Sequence, residues 1–410
     1  MSAGTALRPT RLRGPLSSGP YRLLVTGSTV NSLGNAVTPV ALAFGVLELG
    51  GTASELGLVV AAFALAEVVT LLFGGVLGDR LPRQLLMQGA AAGAAVTQGV
   101  IAAALIGGWA TVPLLGLIGL VNGCLAALSG PSSQAMTRQT VPAEQLSSAV
   151  ALRRLGQNTA AVVGYAVAGM LVAAFGPGWA IGLDALTFVA AAVCFALIRV
   201  PPVVATEDRQ SMLGDLRAGA AEVFRHTWLW LLIGQALLYH LFYGGVQGVL
   251  GPIVVGDEFG MAAWGWALAL LMGGFMVGGV VTLWWKPRHG LAIGTVLLAL
   301  TGLFPVAMAL SDQLPLLLLG AFLHGFGLEI FSVSWDLSIQ TEVAEDKLAR
   351  VYAFDIVGSF VARPLGLVLV GPITAVVGIG PWLVAVGVIM AGSSLLAATV
   401  PSVRRLERRV

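Results

Sequence analysis

The chain has 410 residues, of which 57% are hydrophobic and only 10% are charged. Soluble proteins carry about 25% charged residues, so the composition excludes a water-soluble protein and predicts an integral membrane protein. The net charge of +2 gives no reason to expect a nucleic acid as partner. The two cysteines, Cys124 and Cys194, lie far apart in apolar sequence, which excludes a disulfide framework.

The chain begins with a polar, basic segment, residues 1–20, which contains Arg8, Arg11 and Arg13. This segment lacks the short apolar region and the small-residue cleavage site of a removable signal peptide. We therefore interpret it as a basic tail that is not cleaved.

Apolar stretches of at least about 20 residues, the length that crosses a bilayer, then follow in two groups of six. The first group lies at 21–48, 55–78, 84–108, 112–138, 147–175 and 178–199, and the second lies at 228–255, 261–285, 290–310, 314–340, 349–377 and 381–400. We predict an all-α membrane protein with a six-helix bundle over 21–200, a linker over 201–227, a second bundle over 228–401 and a basic tail over 402–410.

The positions of the charges predict the orientation. With the amino terminus in the cytoplasm, 21 of the 22 lysines and arginines fall in the tails, in cytoplasmic loops or at adjoining helix ends. The short outer turns carry only the acids Glu48, Glu55, Asp257, Glu258 and Asp312. Because cations are preferentially retained in the cytoplasm, we predict that both termini lie there, in a plasma-membrane protein. The exception is Arg363, deep in the eleventh span.

The linker 201–227 contains apolar residues at helical spacing, from Met212 to Phe224. This pattern predicts an amphipathic helix on the cytoplasmic membrane face. The basic tail at Arg404–Arg409 is predicted to contact anionic lipid.

The two halves also resemble each other. The segment Gln139–Glu144 recurs 201 positions later as Gln340–Glu345, in each case after the fourth span of its half. Matched landmarks of this kind favour a parallel duplication of a six-helix unit.

Enzyme chemistry has no support in the sequence. The phosphate-binding pattern Gly-x-x-x-x-Gly-Lys-Ser/Thr is absent, and the four histidines show no metal-ligand spacing. We expect neither a cofactor nor a metal.

Ionisable residues inside apolar spans are costly and mark functional sites by default. Glu67 lies midway along the second span, and a lone carboxylate in such surroundings favours its protonated form. Glu67 is therefore a candidate proton carrier, with a structural hydrogen bond as the alternative. Asp184, about two turns into the sixth span, is a second candidate, unless water reaches it.

The tenth span carries the densest polar stripe: Glu329, Ser332, Asp336 and Gln340. Their spacing places all four on one helix face, which must point inward. Glu329 or Asp336 could bind cations, carry protons or pair with Arg363. Asp355, near the cytoplasmic end of the next span, could join gating charges.

Two further stripes suit a cavity wall. Asn31 and Asn35 stand four residues apart in the first span. In the seventh span the repeated positions are Gln235, Tyr239, Tyr243 and Gln247. Amides and phenols together favour a wet cavity for a partly aromatic molecule, and interhelical hydrogen bonds are the alternative.

The turn after the second span reads Gly75-Val76-Leu77-Gly78-Asp79-Arg80-Leu81-Pro82-Arg83. Its Gly-x-x-x-Asp-Arg-x-x-Arg spacing resembles the loop between helices 2 and 3 of the major facilitator superfamily. Pro82 and Gln84 depart from the usual pattern at this loop. The resemblance implies twelve helices in two pseudo-symmetric bundles, a monomer, and gating roles for Gly75, Asp79, Arg80 and Arg83.

Within that superfamily the chain looks most like exporters of the enterobactin and macrolide type. The segment Gly164–Gly169 weakly resembles the Gly-Pro-x-x-Gly-Gly signature of exporters, with Tyr165 in the place of proline. The resemblance implies export of an amphiphilic organic compound, such as a drug, an antibiotic or a siderophore, in exchange for protons. The alternatives are an uptake carrier for a small solute and a transporter-like sensor without turnover.

Overall fold

A computed structural model describes residues 14–78, 82–200 and 212–407. These residues form helices and connections, without a strand, and twelve helices are long and apolar enough to cross a membrane. The predicted all-α membrane architecture is therefore confirmed. Residues 1–13, 79–81, 201–211 and 408–410, which include Asp79, Arg80 and parts of the predicted tails and linker, lie outside the described residues.

The first six spans are continuous helices. Their bounds are Gly19–Glu48, Ala53–Gly78, Arg83–Ile106, Val112–Thr140, Leu146–Phe175 and Pro177–Ala196. The other six spans cover Thr227–Phe259, Met261–Trp284, Gly290–Leu310, Leu314–Glu342, Arg350–Val377 and Ile379–Thr399. We call the side on which the first span begins and the twelfth ends the terminal side, and the opposite side the distal side.

Some distal turns are as short as one residue. Gly176 separates the fifth and sixth spans, and Gly378 separates the eleventh and twelfth, with φ of 85° and 90°. Only glycine adopts this left-handed backbone without strain. The two glycines are 202 positions apart, close to the 201-residue offset between the sequence repeats, so equivalent turns join the last two spans of each half.

Three spans of the second half, continuous in the sequence-based prediction, change geometry along their length. The ninth contains a 3-10 segment at Leu298–Gly302, and the irregularities of the other two adjoin prolines. In the seventh span, Val246–Leu250 is π-helical just before Pro252. In the eleventh, the helix is interrupted at Val361 and Ala362 and restarts at Arg363, which precedes Pro364. Proline has no N–H group to continue the helical ladder, so both irregularities have a local cause.

The two halves contact each other at their distal ends. Near the start of the second span, the backbone of Ser54 lies against Gly371 of the eleventh span. In the fifth and eighth spans, Gly169 and Gly265 face each other so closely that a Cβ added at Gly169 would lie 3.0 Å from the Gly265 Cα. We call these glycine-mediated contacts the distal seal.

The linker helix, Met212–Arg225, packs on the terminal end of the second half. Gly219 lies against the eleventh span, and Val223 is fully buried. Lys347 Nζ donates a hydrogen bond to Glu222 Oε2 at 2.8 Å, and its ammonium holds the pKa of Glu222 below the ordinary value. The helix therefore docks on protein, a contact that its amphipathic pattern alone could not distinguish from membrane binding.

Candidate binding cavity

A cavity of about 920 Å³ lies between the two halves. Most of its wall comes from the first half, and the second half contributes Gln247, Gly248, Trp264, Leu268 and Arg363. The wall runs from Leu42 and Trp264, next to the distal seal, to Arg83 and Arg138 on the terminal side. The cavity is therefore closed on the distal side and reaches the terminal side.

The first span supplies a polar stripe to this wall. Ser28, Asn31, Asn35 and Thr38 all line the cavity and share one helix face. Asn31 and Asn35 are thus part of the cavity wall, and their role in binding substrate stays a prediction. Gln247, in the π-helical segment of the seventh span, also lies on the wall.

The other three residues of the predicted seventh-span stripe are not on the cavity wall. Gln235 Nε2 donates a hydrogen bond to Ser394 Oγ at 2.5 Å, inside the second bundle. Tyr239 and Tyr243 pack around His324 instead. The four side chains do not point in one direction, because residues four apart drift around a helix of 3.6 residues per turn. The π-helical segment rotates Gln247 further from the other three.

His324 is fully buried between two hydrogen bonds. Its Nδ1 lies 2.9 Å from the carbonyl oxygen of Thr301, and its Nε2 lies 2.7 Å from the Tyr239 hydroxyl. The carbonyl can only accept, so Nδ1 carries the proton and the Tyr239 hydroxyl donates to Nε2. This arrangement uses a neutral imidazole and links the seventh, ninth and tenth spans.

Asp184 lies directly behind the wall and is completely buried, although its predicted position near the interface left solvation open. The Thr38 hydroxyl donates a hydrogen bond to Oδ2, and the Thr187 hydroxyl lies 3.4 Å from Oδ1. Gln98 Nε2 in turn donates to Thr38 Oγ1 at 2.9 Å. Thr38 and Gln98 line the cavity, so this chain connects the carboxyl to the cavity surface.

Gly34 makes this arrangement possible. A Cβ at this position would collide with Asp184 Oδ1 and Thr187 Oγ1. The absence of a side chain at Gly34 therefore lets the carboxyl lie directly against the first span.

The cavity wall carries several arginines. Those that line it are Arg83, Arg138, Arg153, Arg154 and Arg363. Arg153 is the most deeply buried of these, with 6% exposure; its Nη1 donates to Ser133 Oγ at 3.3 Å and lies 3.5 Å from Gln157 Oε1. Asp79 and Arg80 lie outside the described residues, and Gly75 lies within the second span.

The suggested pairing of Arg363 with tenth-span acids is not formed. Among the described residues, no ion pair within 4 Å joins Arg363 to Glu329 or Asp336. Arg363 instead interacts electrostatically with Glu67, while both tenth-span acids interact with Arg154 of the opposite half. The helix interruption before Arg363 places its side chain at the cavity, away from the tenth-span acids.

Asp355 has local partners on the terminal side. Trp335 Nε1 donates to Asp355 Oδ2 at 3.0 Å, and the Ser359 hydroxyl donates to Oδ1 at 3.2 Å. These bonds join the tenth and eleventh spans within the second half. In this conformation the Asp355 carboxylate accepts hydrogen bonds that hold the two spans together.

Sequence reasoning missed Thr38, Gln98 and Arg153 as cavity residues. Thr38 continues the Asn31–Asn35 stripe by one turn, a signal that was available in the sequence. Arg153 lies two turns inside the fifth span, where it was counted among charges at helix ends. Gln98 stands alone in an alanine-rich span, and nothing in the sequence ties it to Thr38.

Residues 24–354 match the family model of the Major Facilitator Superfamily. Two curated relatives are efflux proteins. The multidrug efflux pump Tap of Mycobacterium tuberculosis is 25% identical over 403 residues, which cover 95% of both chains. Macrolide efflux protein A of Streptococcus pyogenes is 23% identical over 406 residues, which cover 93% of this chain and 96% of the relative.

Solved structures share the fold. A crystal structure of a mutant of the nucleoside transporter NupG superposes with a TM-score of 0.77. The aligned regions cover 93% of this chain and 98% of NupG, at 15% sequence identity. At this identity the likeness concerns the fold alone.

Proposed function

The chain belongs to the major facilitator superfamily, and on that premise we propose that it exports an amphiphilic organic compound across the plasma membrane by alternating access. The observation that carries this proposal is the cavity between the halves, which is sealed distally and reaches the terminal side. Its wall combines amides with the rings of Phe63, Tyr165 and Trp264. Such a wall suits a molecule with both polar and apolar parts. The efflux activity of the curated relatives supports the direction.

We assign the terminal side to the cytoplasm, since the lysines and arginines concentrate there. Both termini are then cytoplasmic, and the cavity faces inward. In this state the exporter loads its substrate from the cytoplasm or from the inner leaflet. Rocking of the halves would open the distal seal and release the substrate outside. We expect a monomer in contact with membrane lipids.

Closure of the terminal side is proposed to involve Asp79, Arg80 and Arg83 in contacts with the second half. Arg83 lines the cavity at the terminal side, which supports its place in such a latch. Glu329 and Asp336 interact electrostatically with Arg154 of the opposite half. When the terminal side closes, the distance between Arg154 and these acids decreases, so their attraction would stabilise the closed state. Asp79→Asn is expected to favour the inward-facing state.

Proton exchange is proposed to run through Asp184 and Glu67. Asp184 supports this role because it is buried, and hydroxyl groups connect it to the cavity without a cation within 4 Å among the described residues. Glu67 interacts with Arg363 on the cavity wall. Binding of substrate near Arg363 would therefore change the electrostatic environment of Glu67.

The test is flux in proteoliposomes with a pH gradient of either sign and a panel of organic compounds. An exporter moves substrate from the cytoplasmic to the outer side when protons flow inward, and the reversed gradient slows it. Accumulation with inward proton flow would support an uptake carrier instead. Binding without any flux would support a transporter-like sensor.

A further inference from the structure

The charge on the cavity wall is one-sided. Among the described residues that line the cavity, five are arginines and none is an aspartate or glutamate. A cavity with low-dielectric walls and one sign of charge concentrates ions of the opposite sign. The wall therefore favours negatively charged molecules over positively charged ones.

Some of these arginines have acids in reach. Arg363 interacts with Glu67, and Arg154 interacts with Glu329 and Asp336. These acids reduce the positive field at two points of the wall. Arg153 is different, because the charged neighbour that acts on it is Arg154 and no carboxylate acts on it among the described residues.

Arg153 is the most deeply buried of these arginines, and among the described residues it forms no ion pair within 4 Å. It is 94% buried, and its hydrogen-bond partners in the part of the chain that the structure describes are the neutral Ser133 and Gln157. Its Nε is buried without a hydrogen-bond partner. A guanidinium with free donors at a cavity surface is suited to a bidentate anion such as a carboxylate, phosphate or sulfonate.

The apolar surface lies further along the same helix. Tyr165 is twelve residues beyond Arg153 in the fifth span, which corresponds to about 18 Å along the axis. Trp264 lies with Tyr165 on the cavity wall, next to the distal seal. A molecule that fills the cavity thus meets Tyr165 and Trp264 toward the distal seal, where Arg363 also interacts with Tyr165, and the buried Arg153 toward the terminal side.

We propose that the transported compound is an amphiphilic organic anion, whose acidic group binds Arg153 and whose aromatic part lies toward Tyr165 and Trp264. This inference rests on the proposed export function and specifies its substrate class. Arg363, on the opposite half, provides a second cation that the anion reaches from the same cavity. The acidic group of the bound substrate then neutralises the positive charge of Arg153.

The experiment compares two dyes with the same xanthene ring system, the anion fluorescein and the cation rhodamine 123. Binding to the purified protein in phosphatidylcholine nanodiscs is measured by fluorescence anisotropy, and flux is measured in proteoliposomes. We expect fluorescein to bind at least about tenfold more tightly than rhodamine 123. Arg153→Gln should weaken fluorescein binding by at least about tenfold, and Arg153→Lys should weaken it less.

Arg199→Gln is the matched control, since Arg199 is an exposed arginine of the same half outside the cavity wall. It should bind fluorescein as the parent does. Equal or tighter binding of rhodamine 123 by the parent, or no fluorescein binding, overturns the proposal without need of any variant. Unchanged fluorescein binding in a folded Arg153→Gln variant also overturns it.

The anion could also be a lipid headgroup, so the binding measurement is repeated with phosphatidylglycerol in the nanodiscs. If fluorescein no longer binds in nanodiscs with phosphatidylglycerol, Arg153 binds a lipid headgroup. That result would overturn the proposal that the transported compound is an anion. If rhodamine 123 is exported and fluorescein is not, the export function is supported and an anionic substrate is rejected. Arg153-dependent binding of fluorescein without flux would uphold the anion site and reject export.

Discussion

The Thr38 hydroxyl donates a hydrogen bond to Asp184 Oδ2, and through it a cavity-lining residue of the first span contacts a buried carboxyl of the sixth. Gln98 of the third span donates to the same hydroxyl oxygen. Three spans of the first half therefore meet at one hydroxyl group. Any change in the charge of Asp184 alters a contact that reaches the cavity surface.

Asp184→Asn tests this contact as a route for protons. Asparagine has the same shape and still accepts from Thr38, but it cannot gain or lose a proton. We expect flux to lose its dependence on the imposed pH gradient, while downhill counterflow of the same substrate continues. The measurement is counterflow and gradient-driven flux in the same proteoliposome preparation.

Asp257→Asn is the control, because Asp257 is an exposed acid at the distal side. It should leave both kinds of flux as in the parent. If Asp184→Asn transports with the parent's pH dependence, the proton route does not pass through Asp184. Glu67→Gln in the same assay then decides whether the second carboxyl serves instead.

Tyr239→Phe is expected to destabilise the second half. It removes the hydroxyl that donates to His324 Nε2 and leaves a fully buried acceptor without a partner, which costs about 1–3 kcal/mol. Tyr243→Phe is the matched control, since the Tyr243 hydroxyl is buried without a hydrogen-bond partner. Thermal unfolding in detergent should show a lower midpoint for Tyr239→Phe and an unchanged or higher one for Tyr243→Phe. Equal midpoints for the two variants would reject this account of His324.

The docking of the linker helix should depend on pH through Glu222. Its pKa lies below the ordinary value of 4.5 because of Lys347. The pair therefore stabilises docking above pH 4.5, and this contribution is lost as the pH falls through the lowered pKa. At neutral pH we expect Glu222→Gln to weaken docking by about 0.2–1 kcal/mol.

Hydrogen exchange of the segment Met212–Arg225 measures this effect. Relative to reference rates for unstructured peptides, protection at pH 7 should be lower in Glu222→Gln than in the parent. The difference should shrink as the pH falls below 4.5 and through the lowered pKa of Glu222. A difference that is as large at pH 3 as at pH 7 would mean that the ion pair does not hold the helix.

Gly265→Val is expected to open the distal seal. A side chain at Gly265 would meet the backbone of Gly169 and Tyr165, and such overpacking costs about 1–3 kcal/mol. With Cys124 and Cys194 replaced by serine, a cysteine introduced at Leu268 reports on the cavity. Its labelling by an impermeant maleimide added on the distal side should become at least about fivefold faster.

Gly273→Val is the matched control for the seal. Gly273 belongs to the same span, and a Cβ there would meet nothing within 4 Å. Its labelling rate should equal that of the parent with the same reporter cysteine. Faster labelling in both variants would point to general loosening of the eighth span.

The spans could be predicted from the sequence because apolar length and the positions of arginines are local signals. A short stripe such as Asn31 and Asn35 keeps one helix face over a few residues, so the sequence can predict that these two amides face the same way. The partners of Arg363 could not be predicted in the same way. They depend on the interruption at Val361 and Ala362 and on how one half sits against the other.

Arg153 shows the second limit of the sequence. Its charge suggested a helix end, but its burial depends on the neighbouring fourth span, which supplies Ser133. The burial of Asp184 could not be predicted from its own position either. Its depth in the protein depends on Gly34, whose lack of a side chain has meaning only once the sixth span is known to cross at that point.

The contact between Gly169 and Gly265 consists of uncharged backbone surfaces, whereas the opposite end of the cavity is surrounded by arginines and the tenth-span acids. Dissolved electrolyte screens attraction between exposed charges but leaves contact between neutral surfaces nearly unchanged. Raising ionic strength should thus weaken closure at the terminal side without loosening the distal side. At high ionic strength the substrate-free protein would then spend more time open to the terminal side than it does in dilute buffer, and two residues without side chains set this bias.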